Sequence, residues 1–151
     1  MRPLEFFRVF RVFCGYLQPM KIKRVTGLGG VFFKAKNPAK LGAWYQKHLG
    51  LPVDPNWGGC AFDWLDAKNP KQKGSTAWSP FAGDSKYFGP GKQGHMLNYR
   101  VANLKKVLAA LKQEGVWVDP KSGEKSEFGV FGWIKDGEGN RVELWQPPKG
   151  S

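Results

Sequence analysis

DGEGNRVELW, Asp136 to Trp145, is the stretch on which the reading of this chain turns. Asp136 to Asn140 holds two glycines among turn-forming residues and reads as a hairpin loop, and Arg141 to Trp145 is the strand it feeds. Ahead of it stand strands at 130–134 and 116–118, a helix whose Leu104, Val107, Leu108 and Leu111 recur at helical spacing, and an opening strand at 96–101. Asn103 is a helix N-cap by residue type and Gly115 a stop. The same order occurs once before. Residues 30–35 read as a strand, Asn37 and Pro38 open a helix with Leu41, Trp44, Tyr45 and Leu49 on its apolar stripe, and Gly50 ends it. Strands follow around Cys60 to Leu65 and Thr76 to Trp78, with Pro52 and Pro55 breaking the chain before them. Asn37 and Asn103 are 66 residues apart, Thr76 and Glu143 67, so the offset is nearly constant. The duplication predicts two units of strand, helix and three strands, residues 22–81 and 95–148, joined by a linker rich in Gly and Pro at 82–94 and enclosing one site.

Bulk properties bound the function. A chain of 151 residues has the length of one domain, and 41% hydrophobic content is that of a folded protein. No apolar run approaches the roughly 20 residues that span a bilayer, so no transmembrane segment is expected. Cys14 and Cys60 show no Cys-x-x-Cys pairing, which argues against a disulfide framework or structural zinc and for reduced thiols in the cytoplasm. Cys60 itself reads as a small buried hydrophobe. Of the net charge of +12, a cluster lies within residues 1–24, where six basic side chains meet only Glu5, and the remainder is dispersed. Dispersed lysines predict a solvated cationic surface that favours an anionic small ligand and repels a cationic one, with no specific nucleic-acid stripe.

Residues 1–21 stand outside the repeat as an extension rich in aromatic and basic residues, among them Phe6, Phe7, Phe10, Phe13 and Tyr16. Arginines interrupt it and no small-residue cleavage site follows, so a secretory signal is a poor fit. So much aromatic surface rarely stays wet; docking on the body or on a second copy, making a homodimer, is preferred to a membrane-surface role.

Together the duplicated order, the helix from Asn37 through Trp44, Tyr45 and Gly50, and the closing DGEGNRVELW resemble the vicinal oxygen chelate superfamily, the glyoxalase, bleomycin-resistance and dioxygenase proteins. The resemblance covers about residues 22–148. It implies an α+β fold in which two tandem βαβββ units form a curled, half-open mixed β-barrel, helices outside and a central cleft inside. Given that fold, alternation along strands would turn Phe32, Lys34, Met96, Asn98 and Arg100 toward the cleft and Val31, Phe33, Ala35, Leu97, Tyr99 and Val101 toward the helices. Thr76, Trp78, Glu143 and Trp145 would also look inward.

Metal-dependent members hold a divalent ion with four His, Gln or Glu side chains, and the corresponding places here are Gly30, Thr76, Met96 and Glu143. Only Glu143 is a competent ligand, so no metal and no cofactor is expected. A one-residue bulge could bring His95 inward, at the cost of driving Leu97 and Tyr99 from the core. His48 reads as an exposed last-turn residue, and neither histidine sits beside a plausible nucleophile.

Glu143 is then either a structural carboxylate, held by Arg100, Lys34 or a backbone donor, or a ligand contact and candidate general base. Trp44 reads as core, whereas Trp64, Trp78, Trp133 and Trp145 are candidate walls for a flat ligand. The residues point to a metal-free protein that binds a small apolar or aromatic molecule, neutral or anionic. The alternatives are an enzyme of lyase, isomerase or dioxygenase type using Glu143 as base or metal ligand, and an antibiotic-sequestering resistance protein. The net charge of +12 opposes capture of a cationic drug.

Overall fold

Two asparagines start the two helices. Asn37 and Asn103 have extended backbones, and each side chain accepts the backbone N–H three residues on, at 2.9 Å from Lys40 and Lys106. Helix α1 (Pro38–Leu49) begins on a proline that has no N–H to satisfy and ends at Gly50, whose φ of 68° suits glycine. Helix α2 (Leu104–Gln113) is capped by Glu114 ahead of Gly115.

The computed structural model describes residues 24–149, so the extension 1–21, with Cys14 and its proposed docking, lies outside the described residues. Strands β1 (Val25–Ala35), β2 (Cys60–Asp66), β3 (Asn69–Ala82), β4 (His95–Val101), β5 (Glu124–Ser126), β6 (Gly129–Lys135) and β7 (Arg141–Gln146) form one mixed sheet in the order β2-β3-β1-β4-β7-β6-β5. The sheet curls without closing. Its centre is the antiparallel pair β1 and β4, in which Gly30 faces Asn98 and Phe32 faces Met96. On either side lies a parallel neighbour, β3 beside β1 and β7 beside β4, so the two halves are related about that central pair.

After its helix the first half has two long strands where the resemblance implies three. Pro52 and Pro55 lack ladder donors and Gly58 turns with φ 73°, so 51–59 forms a looped connection. In the second half Val118 makes only an isolated bridge to Ile134, and the third strand is β5, further along the chain. The DGEGN loop forms as read: Asp136 accepts the backbone N–H of Glu138 and of Asn140, closing the β6–β7 hairpin.

The helix-side core gathers Val101, Leu104, Val107, Leu108 and Leu144, with Tyr99, Val130 and Val142 packed against it. The α1 side departs from the reading of its stripe. Trp44 is 50% exposed rather than core, meeting Tyr45 edge-on and His48 at a tilt along the helix surface. The reason is that α1 approaches the rest of the chain through Gly42, the one buried residue of the helix, which leaves the Trp44 indole on the outer face. Cys60 is buried with a free thiol, as expected. No helix among the described residues is long and apolar enough to cross a membrane.

Candidate functional site

Strand β7 carries Glu143 into the interior, and its parallel pairing sets Asn98 of β4 directly beside it. The Glu143 side chain is 0% exposed. Asn98 Nδ2 donates to Oε1 at 2.5 Å, Trp133 Nε1 donates to Oε2 at 2.7 Å, and the Tyr87 hydroxyl donates to the same Oε2. These three stand in place of the Arg100, Lys34 or backbone donor that the sequence suggests. Arg100 instead donates from Nη1 to the carbonyl of Lys73 at 2.8 Å, and Lys34 Nζ lies 5.3 Å from the centre of the Phe88 ring.

Burial pushes the Glu143 carboxyl above the usual carboxylate range, and the three hydrogen bonds and the Arg141 charge only partly offset it. Tyr87 is driven upward too, by burial first and then by the negative charge of Glu143. Both groups therefore hold their protons more tightly than they would in water.

The end of the cleft around Glu143 is filled. Phe88 (1% exposed), Met96 (0%) and Trp133 (4%) pack with Phe32, Phe81, Tyr87 and Phe131. Phe81 stacks on Tyr87 at 5.3 Å and meets Phe32 at 5.6 Å. Phe32, Lys34, Met96, Asn98 and Trp133 are thus brought together as the sequence suggests, but as packed structure. Tyr87 and Phe88, which close this end, come from the stretch read only as a linker. Two adjacent aromatics among its glycines and Pro90 were the available signal.

The other end stays open as a groove of about 420 Å³ lined by Asp63, Trp64, Leu65, Lys73, Gly74, Ser75, Arg100 and Trp145. Both of its indoles are fixed. Trp64 Nε1 donates to Thr76 Oγ1 at 3.0 Å, Thr76 in turn donates to the Leu28 carbonyl at 2.7 Å, and Trp145 Nε1 donates to the Phe128 carbonyl at 2.7 Å. Trp64 lies over Gly27 and Gly74; a Cβ at Gly27 would sit 2.6 Å from its ring, so glycine is what lets the indole lie flat there. The Arg100 guanidinium is 6.0 Å from the Trp64 ring centre.

Two inward assignments need correction. Trp78 lies on the helix side, against Phe33 at 5.2 Å and Tyr45 of α1 at 4.9 Å. The counterpart of Glu143 is Ser79, not Thr76: Phe32 pairs with Ser79 as Asn98 pairs with Glu143. The repeat offset of 67 misplaces β3 by three residues, an odd number, which exchanges the two faces of a strand. His95 is exposed, and β4 turns Met96 rather than His95 into the interior.

A divalent ion of the kind the superfamily employs does not fit these residues. Gly30, Ser79 and Met96 offer no carboxylate or imidazole, and both oxygens of Glu143 face N–H or O–H hydrogens where a cation would have to sit. Among the described residues no three His, Cys, Asp or Glu side chains converge.

No protein-family model and no curated protein matches this chain. Solved structures do. A variant of the Streptomyces coelicolor methylmalonyl-CoA epimerase, in complex with 2-nitronate-propionyl-CoA, aligns with TM-score 0.61 at 15% identity over 82% of this chain and 99% of that one. The methylmalonyl-CoA epimerase of Mycobacterium tuberculosis aligns with TM-score 0.54 at 19% identity, over 86% and 93% of the two chains. A methylmalonyl-CoA epimerase in complex with methylmalonyl-CoA and NH4+ aligns with TM-score 0.62 at 15% identity, over 83% and 96%. The likeness is one of fold. What these epimerases share with this chain is the curled α+β sheet.

Proposed function

We propose that this chain binds a flat, apolar or aromatic small molecule bearing an anionic group, in the groove between Trp64 and Trp145, without a metal ion and without transforming it. The observation that carries this reading is the pair of indoles held in place by their own N–H bonds around Arg100, beside a Glu143 that has no surface to offer. Two preset aromatic walls reduce the ordering cost of binding a planar ligand, and Arg100 and Lys73 outweigh the single acid of the lining, Asp63, in the charge at its edge. Turnover by Glu143 as general base is disfavoured, since a base must come within about 3 Å of the proton it takes and this carboxylate is enclosed by its three donors. On the same reading residues 22–151 form one domain, the extension 1–21 docks on it or on a second copy, and the protein works in the cytoplasm.

The test is a thermal-shift screen with aromatic carboxylates, their neutral amides and divalent metals, on the wild type, Ser75→Trp and Glu143→Gln. A ligand at 100 times its dissociation constant adds about 2.7 kcal/mol of stability. The reading expects carboxylates to raise the melting temperature of the wild type and Glu143→Gln but not of Ser75→Trp, which fills the groove. A transition metal that stabilises the wild type and not Glu143→Gln overturns it.

A further inference from the structure

On the outer side of the sheet a second cavity, of about 480 Å³, opens between α2 and the chain around β5. That size is within the roughly 300–1,000 Å³ typical of small-molecule sites. Its floor is apolar, formed by Leu104, Leu108 and Val130, and its rim carries Lys105, Lys112 and Lys125 with no acidic residue in the lining. Gly132 lies beneath, where a Cβ would press on Leu108 at 3.1 Å and on Leu104 at 3.4 Å.

Two independent features set the charge of this cavity. The first turn of α2 contains no acid and holds Lys105 and Lys106, although the positive end of the helix dipole favours the opposite sign there. Such a violation of a local rule fits a site whose potential matters more than helix stability. Across the cavity β5 alternates, so that Glu124 acts on Tyr87 from the inner side while Lys125 lines the cavity. The acid is turned away and the base is turned in. Lys105 and Lys112 are two helical turns apart on one face of α2, and Lys125 faces them, so a chain lying on the leucine floor meets positive charge along its length.

From this geometry we infer that the cavity between α2 and β5 is a second binding site, for a small amphipathic carboxylate: an aliphatic tail on Leu104, Leu108 and Val130, with the head group held by the lysines. It is separate from the Trp64 and Trp145 groove, and neither proposal depends on the other.

Isothermal titration with octanoate tests it, with octylammonium as the cationic match of equal tail. The variants are the double substitution Lys105→Glu with Lys112→Glu, the cavity-filling Ala109→Trp, and Ser75→Trp as a control in the groove. Octanoate should bind the wild type and Ser75→Trp alike, weaken by about tenfold or more in the double variant, and be excluded by Ala109→Trp, while octylammonium does not bind the wild type. Lys105→Glu suits the positive end of the helix dipole and Lys112→Glu, in the last turn, opposes the negative end, so the two effects offset and the double variant should keep its melting temperature, separating lost binding from lost fold. Equal binding of octanoate by the wild type and the double variant, loss of binding in Ser75→Trp alone, or no binding to the wild type overturns the proposal.

Discussion

At Glu143 a carboxylate is enclosed by Tyr87, Asn98 and Trp133, so its removal and its neutralisation should have opposite consequences. Glu143→Ala leaves three donors without an acceptor and should cost about 3 kcal/mol or more. Glu143→Gln preserves the shape: its amide oxygen accepts from Tyr87 and Trp133, and its NH₂ meets Asn98. The Asn98 amide then turns to present Oδ1, a buried atom that has no hydrogen-bond partner in the wild type. The pH dependence has a definite sign. A carboxyl raised above its unfolded value binds its proton more tightly in the native state, so its contribution to stability is greatest at low pH and declines as pH rises through the raised value. Urea unfolding should therefore show Glu143→Gln gaining on the wild type between pH 5 and pH 8; a gap that narrows toward pH 8 would contradict the buried, raised carboxyl. That Glu143 faces inward was legible in the closing motif. Asn98 and Trp133 were placed in the same cleft, but Tyr87 was not, because it lies 56 residues from Glu143 and only folding brings the two together.

Among the elements, both helices were legible because their signals are local: an asparagine that caps three residues ahead, a proline at the first turn, a glycine at the stop. The strands of the second half were legible for a similar reason, a hairpin loop closed by its own Asp136. Residues 82–94 were read from composition as a linker, and there composition was misleading. Phe88 is as buried as any core residue, at 1% exposure, and Tyr87 is bonded to Glu143. Phe88→Ala should accordingly cost about 3–5 kcal/mol, the range for an emptied core aromatic, where a loop substitution costs at most about 0.5 kcal/mol. Equilibrium denaturation measures the difference, and a loop-like value would show that this segment does not seal the cleft.

At the scale of the whole molecule, the dispersed charge of +12 acts before contact. Anionic aromatic ligands should associate more slowly as salt shortens the Debye length from about 30 Å at 0.01 M to about 3 Å at 1 M. Stopped-flow tryptophan fluorescence would follow this, and an association rate independent of salt would assign ligand capture to local contacts alone. The sequence by itself determined the order of elements, the helix caps, the closing hairpin and the duplication, since these rest on residues a few positions apart or on a repeated pattern. Only the tertiary structure decided which end of the cleft is open. That outcome depends on the register between β1 and β3, which replaces Thr76 with Ser79 as the counterpart of Glu143, and on two aromatics of a connecting segment folding back over the sheet. Both are long-range packing choices, and a strand pattern of period two carries no mark of which partner it will meet.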